Sequence, residues 1–221
     1  MNMINSENKV LIITGGYTEE TVLKSLVMQK QYKMIIAVDR GLTAADAINL
    51  PLDFIVGDFD SVSKSLLEKY QEASTCILSF PPEKDKTDTQ IAIELAIEKG
   101  ATSIDLVGAT GSRMDHMLAN IHMLMIPLQK DINAYIIDQN NRIYLKKRSF
   151  TLKKCNQYGD YVSLLPFSEQ IHGLTLKGFK YPLNYITLEV GSSLGISNEI
   201  VEDLAFIEFT DGILVVIEAR D

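Results

Sequence analysis

Tryptophan is absent from this chain, and cysteine, histidine and proline are scarce, at two, three and six of 221 residues. Cys76 and Cys155 alone cannot form the disulfide framework that small secreted domains use, so a reducing, cytoplasmic setting is expected. No apolar run approaches the roughly 18 residues of a membrane span, and the polar opening, residues 1–9, lacks the apolar stretch of a signal peptide. A membrane partner is therefore not expected. Positive charge is also in the minority: 21 Lys and Arg stand against 29 Asp and Glu, for a net charge of −8. The imbalance is concentrated in residues 1–140, which carry 12 basic against 19 acidic side chains, whereas residues 141–221 carry 9 against 10. A nucleic-acid surface needs clustered lysine and arginine, so no nucleic-acid partner is expected.

The remaining composition, 46% apolar and 23% charged, is that of a folded globular chain. In the first two thirds, short β-branched runs at 10–14, 34–38, 54–56, 76–80, 103–107 and 134–137 alternate with helical patterns. The helices are predicted at 19–29, 42–49, 64–72, 88–99 and 114–130. This alternation predicts an open, mostly parallel sheet with flanking helices. The continuous apolar character of residues 10–13 and 35–38 fits strands covered on both faces. After the polar turn at 138–141 only strand-like stretches follow, at 142–151, 161–167, 171–179, 204–210 and 213–219. They predict a smaller antiparallel β-sandwich, with Asp211-Gly212 as a hairpin turn. The expected division is an α/β domain over 1–140 and a sandwich domain over 141–221.

In open parallel sheets, ligands bind beyond the carboxyl ends of the strands. The first predicted strand ends in Gly15-Gly16, and the second in Asp39-Arg40-Gly41. The third runs into Gly57-Asp58-Phe59-Asp60-Ser61, and the fourth through Pro81-Pro82 to Asp85-Lys86-Thr87-Asp88. The fifth leads to Gly108-Ala109-Thr110-Gly111-Ser112-Arg113. Asp58 and Asp60, one residue apart, put both carboxylates on one side of an extended stretch. Two such carboxylates repel unless a cation joins them, and Mg²⁺ binds through carboxylates together with substrate phosphates. The plainer alternative is a polar turn in which Asp60 or Ser61 caps the next helix. Thr87 and Gln90 have capping-box spacing, which places Asp88 in a first helical turn. The glycines of 108–111 let backbone N–H groups approach phosphate at a helix start, where Arg113 adds a forked cation. Ser112 and Asp115 also have capping spacing. There is no G-x-x-x-x-G-K-[ST] motif, which excludes a P-loop kinase.

His122 falls in a mostly apolar helix and is expected to pack there; His172 is expected on a sandwich strand, and His116 alone adjoins the proposed site. The run Lys146-Lys147-Arg148 is expected to be a solvated strand face, and Met117, Met123 and Met125 to be core.

In order along nearly the whole chain, Val38-Asp39-Arg40-Gly41, Gly57 to Ser61, Asp85 to Asp88, Gly108 to His116 and Gly195-Ile196-Ser197-Asn198-Glu199 resemble the thiamine pyrophosphokinase family. The resemblance implies an N-terminal ATP-binding domain and a C-terminal sandwich. It further implies a homodimer in which thiamine binds between one subunit's α/β domain and the other's sandwich. The implied reaction converts ATP and thiamine to AMP and thiamine diphosphate. It places Mg²⁺ among Asp58, Asp60 and Asp88, with Asp39 and Asp85 nearby. Nucleotide contacts fall to Arg40, Lys86, Thr87, Gly108, Thr110, Gly111, Ser112 and Arg113. Asp115, Ser197 and Asn198 line the thiamine pocket. Asp39, Asp58, Asp60, Asp88 and Arg113 form the catalytic set. Two departures are visible: Arg40 stands where many relatives have a second glycine, and without tryptophan any ring stacking on thiamine falls to Tyr or Phe.

Two other readings compete. Asp58-Phe59-Asp60-Ser61-Val62 fits the D-x-D-x-[TV] pattern of haloacid-dehalogenase phosphatases, in which the first Asp is a nucleophile. A non-catalytic nucleotide-binding module would have little need for so many carboxylates beside a phosphate.

Overall fold

The computed structural model describes residues 7–60, 62–73, 75–81 and 85–221. The chain divides into two compact units, Met1–Gln139 and Asn140–Asp221.

In the first unit the six apolar runs form strands β1 (Lys9–Ile13), β2 (Met34–Val38), β3 (Phe54–Gly57), β4 (Cys76–Ser79), β5 (Ser103–Val107) and β6 (Asn133–Ile137). All pair in parallel, in the order β4-β3-β2-β1-β5-β6. Val10 to Ile13 on β1 are fully buried, which is why that segment carries no polar alternation. β4, at the sheet edge, is half-exposed along its length. The helices are α1 (Glu20–Gln29), α2 (Gly41–Ala47), α3 (Lys64–Glu72), α4 (Asp88–Glu98), α5 (Met114–Met123) and α6 (Met125–Gln129). α4 packs over β1, β2 and β3 through Ala92, Ile93 and Ala96. The single helix expected over 114–130 is broken at Leu124, which ends α5 and starts α6. Pro127 has no N–H to donate to the i−4 carbonyl, so a fresh helical start just before it is the low-cost arrangement.

Strand order reverses between β1, from which β2 to β4 run outward on one side, and β5, from which β6 runs on the other. Such a switch, here at the carboxyl ends of β1 and β5, is where open α/β sheets bind ligands.

The second unit is built of β7 (Asn141–Lys146), β8 (Phe150–Lys153), β9 (Tyr161–Pro166), β10 (Gln170–Lys177), β11 (Leu183–Glu189), β12 (Leu204–Glu208) and β13 (Leu214–Ala219). β13 lies between β7 and β9, all antiparallel. A four-stranded antiparallel sheet runs β11-β10-β12-β8. Residues 142–151, read as one strand, are two strands in different sheets. The expected hairpin at Asp211-Gly212 is also not one: β12 pairs with β10 and β8, whereas β13 joins β7 and β9. The turn carries the chain from one sheet to the other, with positive φ at Gly212 only. Glu218 on β13 is buried and fully bonded. It takes a two-pronged contact from Arg142, with Nη2 at 2.7 Å from both oxygens, and further hydrogen bonds from Tyr144 Oη and the Tyr158 N–H, each at 3.0 Å. No helix among the described residues is long and apolar enough to cross a membrane.

Candidate active site

The carboxyl ends of β2 and β3 lie side by side, with Val38 paired to Val56. Asp39, at φ 47°, turns out of β2 while its N–H still donates to the Val56 carbonyl at 3.0 Å. Its carboxylate lies against the bare backbone of Gly57, where a Cβ would overlap Asp39 Oδ1. Glycine at 57 is thus what leaves room for the Asp39 carboxylate next to β3. Asp58 Oδ1 accepts a hydrogen bond from the Asp60 N–H at 3.1 Å, across Phe59 at φ 62°. The segment is therefore a tight turn rather than the extended stretch expected, because the left-handed Phe59 reverses the chain. The Asp58 carboxylate is thereby fastened to the Asp60 backbone. Ser63, not Asp60, caps α3, its hydroxyl accepting from the Leu66 N–H at 3.3 Å; Ser61 lies outside the described residues.

β4 is the neighbour of β3 and leads through Pro81 to Asp85; Pro82 lies outside the described residues. Thr87 caps α4 as expected, accepting from the Gln90 N–H at 3.2 Å. That fixes Asp88 in the first turn, where the helix dipole favours an anion. Lys86 is turned along the helix, at 2.7 Å from Glu94. This ammonium, with Gln90, holds the Glu94 carboxyl below its ordinary range. Asp85 is exposed.

The glycine loops meet at the switch between β1 and β5. Thr14 N–H donates to Val107 O at 2.8 Å and Gly16 N–H to Gly108 O at 3.0 Å. Gly108 sits at φ 70°, and a Cβ there would come within 2.6 Å of Thr14 O, so neither the conformation nor the space admits a side chain. The buried Asn120 of α5 donates to Ala109 O at 2.7 Å, and Thr110 Oγ1 donates to Asp138 at 2.8 Å. Gly111 stands in open space and Ser112 is exposed. Arg113, rather than Ser112, is the cap residue of α5, and makes no side-chain cap bond. Its guanidinium forms a fork with Asp115, Nη2 at 2.6 Å and Nε at 3.2 Å. That fork is the main reason the Asp115 carboxyl is lowered to about 2, and it raises Arg113 in turn. Arg40 is exposed at the start of α2.

In the second unit, residues 195–198 run beside β9. Leu164 N–H donates to Gly195 O at 2.8 Å, Val162 and Asn198 exchange backbone hydrogen bonds at 2.7 and 3.0 Å, and Ser197 N–H reaches Ser163 Oγ at 2.9 Å. Ser197 is exposed at φ 53°. Asn198 is buried, its Oδ1 accepting from the N–H groups of Tyr181 and Glu199 at 3.0 Å each and its Nδ2 donating to Tyr181 O at 2.8 Å. Its side chain therefore shapes this turn, and the exposed group beside it is Ser197.

Three neighbouring strand ends thus carry the acidic residues: β2 with Asp39, β3 with Asp58 and Asp60, and the segment after β4 with Asp85 and Asp88. From β3 to β5 is three strand spacings, roughly 14 Å, which separates the acids from the glycine loop. Among the described residues, no three His, Cys, Asp or Glu side chains are already assembled to hold a metal ion.

Residues 26–136 match the family model described as "Thiamin pyrophosphokinase, catalytic domain", and residues 148–214 match "Thiamin pyrophosphokinase, vitamin B1 binding domain". The chain is 36% identical over 208 residues to the thiamine pyrophosphokinase of Bacillus subtilis (strain 168), covering 93% of this chain and 91% of that protein. The chain belongs to the thiamine pyrophosphokinase family. Crystal structures of family members superpose on it closely. That from Bacillus subtilis has a TM-score of 0.86 at 32% identity, covering 97% of this chain and 100% of that one. That from Geobacillus thermodenitrificans has a TM-score of 0.83 at 32% identity, covering 96% and 98%.

Set against the family's two domains, all the strand-end acids, Arg113 and Asp115 fall within the catalytic match, and Ser197 and Asn198 within the second. Some supporting residues escape a reading of the sequence. Asn120 had a signal: an asparagine amid apolar helical residues is disfavoured there unless its amide has a partner. Ser163, which receives Ser197, had none. His122 is exposed rather than packed, and Met117, Met123 and Met125 are half-buried at the helix surface. His172 is on β10 as expected, while Lys147 and Arg148 follow β7 instead of lying on it.

Proposed function

We propose that this chain transfers the terminal diphosphate of ATP, as a unit, to the hydroxyl of thiamine, giving thiamine diphosphate and AMP. The observation that carries it is the match to both domains of the family in order, with the acidic strand ends inside the catalytic one. ATP lies across the carboxyl ends of β3, β2, β1 and β5. Its polyphosphate meets the backbone of Gly108, Thr110, Gly111 and Ser112 at the start of α5, and Arg113 supplies a forked donor. Arg40, Lys86 and Thr87 flank it.

The donors fit Mg²⁺. It takes oxygen ligands, keeps several waters and uses only one or two carboxylates beside substrate phosphates. A preassembled cluster of three acids is not required, and the joined pair Asp58 and Asp60 beside Asp39 suffices. Asp58 and Asp60 would hold the ion, with Asp85 and Asp88 adjoining from α4. Bound there, the ion supplies positive charge against the phosphate oxygens.

The remaining work belongs to the chain's own groups. A carboxylate, Asp58 or Asp88, accepts the proton of the thiamine hydroxyl as its oxygen bonds to the β-phosphorus. The bond from that phosphorus to the oxygen bridging it to the α-phosphorus breaks, and AMP departs with the bridging oxygen. Arg113 offsets charge on the transferred group, and positioning contributes most of the rest. Asp115, Ser197 and Asn198 serve thiamine, Asn198 by shaping the turn that presents Ser197.

The 1–140 unit is the catalytic domain and the 141–221 unit the thiamine and dimerisation domain of a cytoplasmic homodimer. Exposed apolar side chains of the second unit, among them Tyr185, Leu194, Leu204 and Phe206, support the dimer. No observation favours the phosphatase reading of Asp58 or a purely binding role. The test is to incubate the protein with ATP, Mg²⁺ and thiamine and to separate the products. AMP and thiamine diphosphate in equal amounts support the reading; ADP or free phosphate contradicts it.

A further inference from the structure

The Arg113–Asp115 fork occupies one of the two paired N–H edges that the guanidinium could offer a phosphate, the Nε–Nη2 edge. Asp115 takes both Nη2, at 2.6 Å, and Nε, at 3.2 Å. A guanidinium presents such paired N–H edges to carboxylate and phosphate alike, so the two acceptors compete for this edge. We propose that Asp115 holds the Nε–Nη2 edge of Arg113 in reserve, and that a nucleotide polyphosphate gains this edge by exchanging places with the Asp115 carboxylate. This deepens the nucleotide reading of the site and rests on it.

Three features make the exchange practicable. Both side chains are about two-thirds exposed, at 69% and 65%, so a ligand reaches the pair without unpacking anything. A water-exposed pair is weak, whereas a polyphosphate offers several charges to the same edge. Asp115 is also fastened independently of Arg113, because its Oδ1 accepts from the His116 N–H at 3.0 Å in the first turn of α5. When the fork opens, the carboxylate therefore stays in place, anchored to its helix. The guanidinium beside it holds the Asp115 carboxyl below its ordinary range, so it is charged at neutral pH.

The exchange has a consequence for the second substrate. While the fork is closed, the Asp115 charge is masked. Once the nucleotide takes Arg113, an anchored carboxylate stands uncovered beside the site, and it attracts a cation such as the thiazolium of thiamine. Nucleotide and thiamine should then favour each other's binding, and by linkage the effect is reciprocal.

The exchange is tested by calorimetric titration with a non-hydrolysable ATP analogue and Mg²⁺, using wild type, Asp115→Asn, Arg113→Gln and the double variant. Losing the internal competitor should tighten nucleotide binding about two- to fivefold in Asp115→Asn, the range set by exposed ion pairs. In the Arg113→Gln background the same change should have no effect. The exchange is overturned if Asp115→Asn binds the nucleotide equally or more weakly. It is equally overturned if the gain persists without Arg113, since a general field effect then explains it. Asp115→Ser gives the same readout should Asp115→Asn fold poorly. If no form binds the nucleotide, the exchange and the site reading fall together. If wild type makes thiamine diphosphate but the variants show no coupling, only the exchange falls.

Discussion

Asp60 is exposed and gives its backbone N–H, not its carboxylate, to the turn it shares with Asp58. Replacing it with asparagine should therefore leave the fold intact while removing charge from the proposed metal site. Turnover of Asp60→Asn is expected to fall by about a hundredfold or more, the scale of losing one preorganised electrostatic partner. Thermal unfolding should be unchanged, and normal turnover would refute the metal assignment. Asn198 and Ser197 behave oppositely. Asn198→Ala strands the N–H groups of Tyr181 and Glu199 and the Tyr181 carbonyl, and should cost about 2–3 kcal/mol in denaturant unfolding. Ser197→Ala should leave stability alone and raise the KM for thiamine more than that for ATP. If Ser197→Ala weakens only ATP use, the vitamin pocket has been misplaced. The strand-end positions of Asp39, Asp58 and Asp88 were legible in the sequence, because apolar runs and a capping threonine mark where strands stop and α4 starts. The turn at Phe59 was not, since phenylalanine gives no warning of positive φ.

At the scale of elements, the central parallel strands could be read because burial on both faces leaves unbroken apolar runs, as in β1 and β2. β11 could not. Its seven residues are mostly exposed, its pairing with β10 is irregular, and Tyr185 within it has φ 52°, so no alternation survives to be seen. The Asp211-Gly212 turn was visible, but turn chemistry cannot say which sheet the next strand joins. The glycine loops make an element-scale prediction. Gly108→Ala forces a side chain onto Thr14 O at φ 70°, where β1 and β5 part. It is expected to lower stability by at least about 1–3 kcal/mol and to weaken nucleotide binding in the same variant. Gly111, with nothing near it, should accept alanine with no loss of stability. Equal unfolding midpoints for the two variants would contradict the packing described.

For the whole molecule, the second unit leaves Leu204 and Phe206 exposed on β12, on the opposite side of the strand from buried Ala205 and Ile207. If a second copy covers them, Phe206→Asp should shift the species seen by light scattering from dimer to monomer and reduce thiamine turnover with it. A monomeric wild type with full activity would count against the homodimer. In the proposed site the acidic strand ends and the glycine loop act together only if a metal–nucleotide spans them, because among the described residues the carboxylates alone do not form a finished cage. Mn²⁺ as a paramagnetic stand-in, followed by its electron spin resonance signal, tests this most directly. The account predicts weak Mn²⁺ binding by the protein alone, tight binding once ATP is added, and loss of that gain in Asp58→Asn and Asp60→Asn. Tight binding without nucleotide, or an ATP-dependent gain that survives both substitutions, would contradict it.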